Sequence, residues 1–446
     1  MIPNPSVMKA VEKLNYRVTI GDVAAQSGLD IKVAERDLLE LASEAGGHLQ
    51  VAESGDIAYL FPRNFRGVLR NKYLRLRIQD WWNKVWEALF YVIRVSFGIL
   101  LIVSIVLIFV TILVILMSMN SRNDSGGRGS YGGGRGGGIF VPWYWISPNW
   151  FYVFRPDYYR RRSYYHQQNR RRSYNTRSSS GSESDMNFLE AVFSFLFGDG
   201  NPNANLEELR WQTIGTVIRN SGGAITAEQV APYLDHVGKD WRENEDYILP
   251  VLTRFNGRPE VSPEGQIIYH FPELQVTAKT QKNPQPVSAY LRELPWKFSQ
   301  ANSGQIIGAA GLGGLNLVGA LVLGNLLQHS AELGGLVAFV GSIYWLLLAY
   351  GIGFLTVPLI RYFWVQWRNR QVEVRNESRQ ERAVALIQAD EELRQKLVFA
   401  ERFAAETVVD ESDLAYTTEQ DLTEQEYLQS DKIDEEWERR LGQSGT

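Results

Sequence analysis

The sequence predicts an α-helical integral membrane protein that also carries two small α+β soluble domains. Three observations lead there: charge-free apolar stretches of membrane length, a segment pattern that occurs twice, and the same order of helices and a hairpin around each copy. The copies end on Gly55-Asp-Ile-Ala-Tyr-Leu-Phe-Pro62 and Gly265-Gln-Ile-Ile-Tyr-His-Phe-Pro272, 210 residues apart in a chain of 446. That length has room for two or three domains.

Composition removes several classes. There is no cysteine, which excludes disulfides, cysteine nucleophiles and thiolate-held zinc or iron–sulfur clusters within this chain. The five histidines (His48, His166, His236, His270 and His329) are scattered without an HxxxH or HExxH pair, and each reads as a surface or turn residue. The expectation is therefore no enzyme, with no catalytic residue, no metal and no cofactor. The N-terminal stretch MIPNPSVMKAVEKLNY lacks an apolar signal core and the Arg/Ser-rich character of a transit peptide. Insertion through internal spans of a bacterial or organelle-encoded protein fits it.

Residues 1–62 form the first copy and 207–272 the second. Val18-Thr-Ile-Gly-Asp-Val-Ala24 aligns without gaps to Ile225-Thr-Ala-Glu-Gln-Val-Ala231. Thr226 with Gln229 has capping-box spacing and Thr19 with Asp22 nearly so, each marking a helix start. Helices are expected before these starts, near Pro5–Leu14 and Glu207–Asn220, and after them, at Lys32–Ala45 and Trp241–Phe255. A glycine turn and a hairpin follow. Ile57, Tyr59 and Phe61 alternate with Asp56, Ala58 and Leu60, the period of a half-buried strand, and Pro62 stops it. Helix, helix, helix and two-stranded wing in about 60 residues resembles a winged-helix domain, carried by element order rather than by one motif. Nucleic acid is not the partner this implies. The first copy holds five basic and nine acidic residues and the second six and ten, a net of −4 each. The helices in the recognition position (Lys32-Val-Ala-Glu-Arg-Asp-Leu-Leu-Glu40 and Trp241-Arg-Glu-Asn-Glu-Asp-Tyr247) put acids where phosphate would approach. Protein docking is the better expectation.

A basic amphipathic juxtamembrane segment, 63–94, leads into the first span, 95–119, which reaches roughly 37 Å at 1.5 Å per residue. Spans at 304–327 and 333–360 form a hairpin across a short turn. None of the three contains Asp, Glu, Lys or Arg, which argues against ion-coupled transport. Gly311-Leu-Gly-Gly-Leu-Asn316 looks like a phosphate loop but has no lysine after it and lies within a span. Gly304 with Gly308, Ala320 with Gly324, and Gly334, Ala338 and Ser342 recur four apart. They are candidate helix-packing positions, or simply the glycine content of membrane helices. Basic residues flank both the first span and the third (Arg361, Arg368, Arg370), which three crossings cannot satisfy by the positive-inside rule. The aromatic stretch 139–154, within the Gly/Arg/Tyr-rich segment 120–185, is an interfacial or re-entrant segment or a fourth crossing. The latter would put both copies on one face.

Arg128 and Arg135 among glycines, and Arg160, Arg161, Arg162, Arg170, Arg171 and Arg172 in two RRRSY repeats, are candidates to contact anionic lipid or RNA. Tethering beside a bilayer favours lipid. An apolar interfacial segment is expected at 186–198, one charged helix at 361–406, and a largely disordered acidic tail at 407–446. Asp390 with Arg394 and Glu392 with Lys396 have i,i+4 spacing for ion pairs in that helix. From Asp410 the tail holds twelve acidic and three basic residues and is either a dock for a basic partner or a solvated end.

This layout of paired modules, small-residue hairpin and charged appendages resembles a family of membrane proteins of cyanobacteria and plastids, some of which carry an iron–sulfur-biogenesis label. The resemblance implies a thylakoid or plasma membrane location, with the soluble modules cytoplasmic. Absence of cysteine sets the label aside for a cluster carrier. The function expected is a membrane-anchored scaffold or assembly factor that docks protein partners. The alternative is a membrane-tethered nucleic-acid binder acting through the Arg/Gly-rich loop.

Overall fold

The computed structural model describes residues 3–72, 74–123, 186–238, 240–279, 284–329, 333–410 and 414–421. The Arg/Gly-rich segment, including the stretch 139–154, lies outside the described residues.

Helix α1 (Pro5–Lys13) opens on Asn4, whose side chain accepts the Ser6 N–H at 3.0 Å, with Pro5 at a position where its missing N–H costs nothing. Strand β1 (Arg17–Thr19) leads into α2 (Ile20–Ser27) through a reciprocal cap. The Thr19 hydroxyl accepts the Asp22 N–H at 3.1 Å, and the Asp22 carboxylate accepts the Thr19 N–H at 3.0 Å. Helix α3 (Ile31–Ala45) starts on an Asp30 cap and ends at Gly46 in the left-handed region. Strands β2 (His48–Ala52) and β3 (Ile57–Leu60) close a hairpin with Leu49 opposite Tyr59, and β1 pairs with the other side of β3. Helices α4 (Phe65–Lys72), α5 (Leu74–Asn123) and α6 (Phe188–Phe197) follow.

The second copy repeats the order with α7 (Leu206–Asn220), β4 (Ala224–Ile225), α8 (Ala227–Val230), α9 (Leu249–Phe255), β5 (Arg258–Val261) and β6 (Ile267–His270). Its sheet order, β4-β6-β5, matches β1-β3-β2 of the first. The stretch Trp241–Phe255 is helical only in its second half. A 3-10 turn at Asp246–Ile248 precedes α9, because Pro250 is tolerated in a first turn and not in a helix interior.

Next come α10 (Pro272–Gln275), β7 (Val276–Thr277), α11 (Ser303–Gln328), α12 (Leu336–Ile387), α13 (Glu391–Glu401), β8 (Thr407–Val408) and β9 (Leu414–Thr417). The third apolar stretch and much of the charged segment after it are thus one helix of 52 residues. The charged segment breaks before α13, where Asp390 caps the new helix by accepting the Leu393 N–H at 3.0 Å. The first part of the acidic tail is ordered by backbone pairing: β8 lies parallel to β7 and β9 antiparallel to β2. Residues 422–446 lie outside the described ones.

The chain divides into two compact units, one of residues 1–81, 202–295 and 371–446 and one of 82–201 and 296–370. In the first unit both copies share a single core. Val11, Val23, Leu38 and Phe61 of one copy and Ile214, Ile218, Phe255 and Phe271 of the other belong to the same buried cluster. Each such side chain contributes about 1.5–3 kcal/mol on burial. Helix α2 packs on α7 closely enough that a Cβ on Gly215 would sit 2.8 Å from Ala25 Cα.

Among the described residues three helices have the length and composition to cross a membrane: Lys84–Asn120 and Ser303–Gln328 in the second unit, and Leu336–Ile387, which belongs to it up to residue 370. Ile108, Ile115, Ala320, Leu323, Val340 and Leu347 form one contact region among them. Leu101, Ala309 and Phe354 form another with Val192, Phe195 and Leu196 of α6. The apolar segment 186–198 is therefore packed among these helices, with Ala191 and Val192 fully buried. Ser104 Oγ donates to Asn316 Oδ1 at 2.8 Å between helices, a polar tie where apolar side chains gain nothing from association in lipid.

Candidate functional site

The junction between the copies is built on Asp22. In the first copy this residue caps α2; its aligned position in the second copy is Gln229, which accepts the Thr226 N–H at 2.9 Å. The acid does more than cap. Arg219 of α7 meets it at 2.7 Å, Thr277 Oγ1 donates to it at 3.0 Å and the Ala278 N–H donates at 2.9 Å. Both charged side chains are almost fully buried, at 5% and 8% exposure. A buried pair at such geometry and with its lone pairs filled holds its two elements in register. Nearby, Arg254 Nε donates to the Gly28 carbonyl at 2.8 Å and its guanidinium lies 4.2 Å from the Trp211 ring centroid. Gly28 has φ 70°, and a Cβ there would strike Trp211.

A second cluster fastens α12 to the second copy. Arg379, at 1% side-chain exposure, donates to the Leu291 carbonyl at 2.7 Å and to Glu293 at 2.8 Å, and pairs with Asp235. Arg375 forks onto both Glu293 oxygens at 2.8 and 2.7 Å. Arg382 donates to the carbonyls of Ala231 and Leu234 at 2.8 and 3.0 Å. Burial alone would raise the Asp235 carboxyl, but the Arg379 hydrogen bond and the Arg210 charge outweigh it and hold the pKa below its ordinary value. Glu293 is held down in the same way, against burial, by Arg375 and Arg379. A cleft of about 530 Å³ opens beside this cluster, lined by Trp241, Arg242, Arg375, Arg379 and Arg382 among others. Arg375, Arg379 and Arg382 are engaged by carboxylates or carbonyls, and Arg242 by Asp390 at 3.2 Å. The cleft is the side of a latch more than a seat for a ligand.

A third cluster secures α13. Lys396 Nζ donates to Glu228 at 2.9 Å and Glu245 at 2.8 Å, and the Tyr269 hydroxyl donates to Glu245 at 2.6 Å. Burial would lower the lysine, yet its hydrogen bonds to Glu245 and Glu228 raise it above its ordinary value. Lys396 and Asp390 are thus committed to tertiary partners, and the i,i+4 partners Glu392 and Arg394 are not the ones they meet. No group of three or more histidine, aspartate or glutamate residues that could hold a metal ion occurs among the described residues.

The arginines 128, 135, 160–162 and 170–172 lie outside the described residues. The small-residue positions separate into two sets. A Cβ on Gly324 would run into Tyr344, Ala320 is fully buried, and a Cβ on Gly308 would lie 3.3 Å from the Phe188 ring. Among the described residues a Cβ on Gly304 would have only the Asn302 side chain near it and one on Gly334 nothing within 4 Å, and Ala338 and Ser342 are exposed. Close packing falls instead on Gly313 against Phe354, Gly319 against Ile108 and Gly351 against Leu317. The junction residues carried little sequence signal. Asp22 read as a cap, and Arg375, Arg379 and Arg382 fell within the charged helix expected at 361–406 without being singled out. Their spacing of four and three on one face was the available hint.

Fold and clusters together define a class: apolar helices of membrane-spanning length joined to a two-copy body locked by buried ion pairs. Comparison makes this particular. The chain is 38% identical over 454 residues to the uncharacterised chloroplastic protein At5g03900 of Arabidopsis thaliana, a match covering 97% of this chain and 81% of that protein. The chain belongs to the family of that plant protein. No family model matches it, and no solved structure does.

Proposed function

We propose that the chain is a non-enzymatic, membrane-anchored scaffold or assembly factor that docks protein partners through two acidic winged-helix-like modules. One observation carries the reading: the modules share a core and the buried Asp22–Arg219 pair, so they offer a partner one composite surface at fixed spacing. The helix–helix–helix–hairpin order and the matching sheets support the winged-helix comparison. Net negative charge on each copy disfavours a polyanionic partner. The chloroplastic relative and the three apolar helices support a thylakoid or plasma membrane setting.

The test is affinity purification of the tagged protein from gently solubilised membranes, with and without nuclease, read by mass spectrometry. Deleting residues 1–62 would strip half of a shared core, so the control is a surface change on α3, Glu35→Lys with Leu39→Glu. Both positions are exposed, Leu39 by 52%. A stoichiometric protein that survives nuclease and is lost with this variant supports docking through the first module. Partners that vanish with nuclease would overturn it in favour of nucleic acid bound by the Arg/Gly-rich segment.

A further inference from the structure

The two hairpins of the repeat treat their outer edges differently. In the first copy β9 runs along the outer edge of β2, with Gln50 opposite Thr417 and Val51 opposite Tyr416. The Leu49 N–H donates to Thr418 Oγ1 at 2.8 Å, and the Thr418 N–H donates to the Leu49 carbonyl at 3.0 Å. In the second copy Pro259 stands where Leu49 stands, since each faces the tyrosine of its octapeptide, Tyr269 or Tyr59. Leu49 turns its N–H outward, away from Tyr59. Pro259 therefore lacks the very donor that an added strand would use. Among the described residues β5 has no strand on its outer side. One copy keeps a receptive edge, and the other is blunted by proline, a usual defence of edge strands.

The occupant of the receptive edge is thinly held. Strand β9 has four residues, Ala415 and Tyr416 are exposed, and the register slips between Val51 and Ala52. Among the described residues of β9, Leu414 packs on a small cluster, that of Ala52, Ala58 and Val409. A strand that buries so little opens locally at low free energy.

We propose that the outer edge of β2 is a strand-docking site for a partner protein, and that β9 is its placeholder within the chain. The inference rests on the docking reading above and says how one contact is made. The partner segment is extended and antiparallel to β2, with a leucine-type side chain followed four residues later by threonine or serine. That hydroxyl accepts the Leu49 N–H, as Thr418 does, and its backbone carbonyl sits by His48 Nδ1, 3.2 Å away in the chain's own strand. Main-chain hydrogen bonds supply affinity and the two side chains select the sequence.

The experiment uses the full-length protein in nanodiscs and a fluorescent peptide of residues 411–421 as probe. Thr418→Pro in the protein removes the N–H given to Leu49 and unseats β9. In the native chain the tethered strand competes at an effective concentration on the order of millimolar, so the peptide binds the variant at least about tenfold tighter. A peptide carrying the same proline binds neither chain. Equal binding to both chains, or none to a variant whose β3 amides keep their protection from exchange, would overturn the proposal. Hydrogen exchange of the native chain gives a second reading: β9 amides exchange at least about a hundredfold faster than those of β3. Equal protection would make β9 a permanent strand and overturn it too. A native chain that runs as a dimer through exchanged β9 strands would give the edge to a second copy instead. The peptide measurement needs no partner, so its failure leaves partner capture standing, and failed capture leaves peptide binding standing.

Discussion

Replacing Asp22 by Asn tests the junction most directly. Asparagine keeps an oxygen for the Thr19 cap and removes the charge, which leaves the Arg219 guanidinium buried at 8% exposure without its carboxylate. Stranding one partner of a buried pair costs about 3–5 kcal/mol. Weakened bonds from Thr277 and the Ala278 N–H belong to the same loss. At 1.4 kcal/mol per factor of ten, a cost of about 4 kcal/mol raises the opening constant of the junction roughly a thousandfold. Hydrogen exchange of the full-length protein reads this as faster exchange of α2 and α7 amides. The double variant Asp22→Asn with Arg219→Met removes the stranded charge and recovers most of the protection. Acceleration of less than about tenfold in the single variant, or a double variant no better than the single, would refute the assignment of the junction to this pair.

Acid should loosen α12 from the second module. Asp235 and Glu293 have folded pKa values below their ordinary ones, so their contribution is present above the ordinary carboxylate range and is lost as pH falls through the folded values. A protection factor at 371–387 that stays constant as pH falls from neutral to well below the ordinary carboxylate range would contradict this. In the spans, Gly324→Leu drives a side chain into Tyr344 and is expected to destabilise the helix pair by about 1–3 kcal/mol, whereas Gly334→Leu meets open space and is neutral; detergent melting curves compare them. Because both copies belong to one body, the Gly55 and Gly265 hairpins should be cleaved or protected together by protease in sealed vesicles. Protection of one alone would break the shared core as a feature of the membrane-bound protein.

The sequence by itself determined what depends on near neighbours. Twenty-five charge-free residues from Val95 to Met119 must form a helix in lipid, because only intrachain hydrogen bonds can satisfy that backbone there. Thr19 with Asp22 and the alternation at Ile57, Tyr59 and Phe61 likewise act within one turn or one pleat, and the caps and hairpins followed from them. Tertiary structure alone decided how the copies meet. Asp22 finds Arg219 and Thr277 from the far side of the first long apolar helix, and Lys396 leaves Glu392 for Glu228 and Glu245, 168 and 151 residues away. The same holds for Ala338 and Ser342 of α12 and for Gly334 just before it, whose spacing suits close helix contact yet which stay exposed in the described chain. The physical reason is desolvation. A charge or a small residue acquires its role from what burial removes from water around it, and that depends on distant segments no local period records.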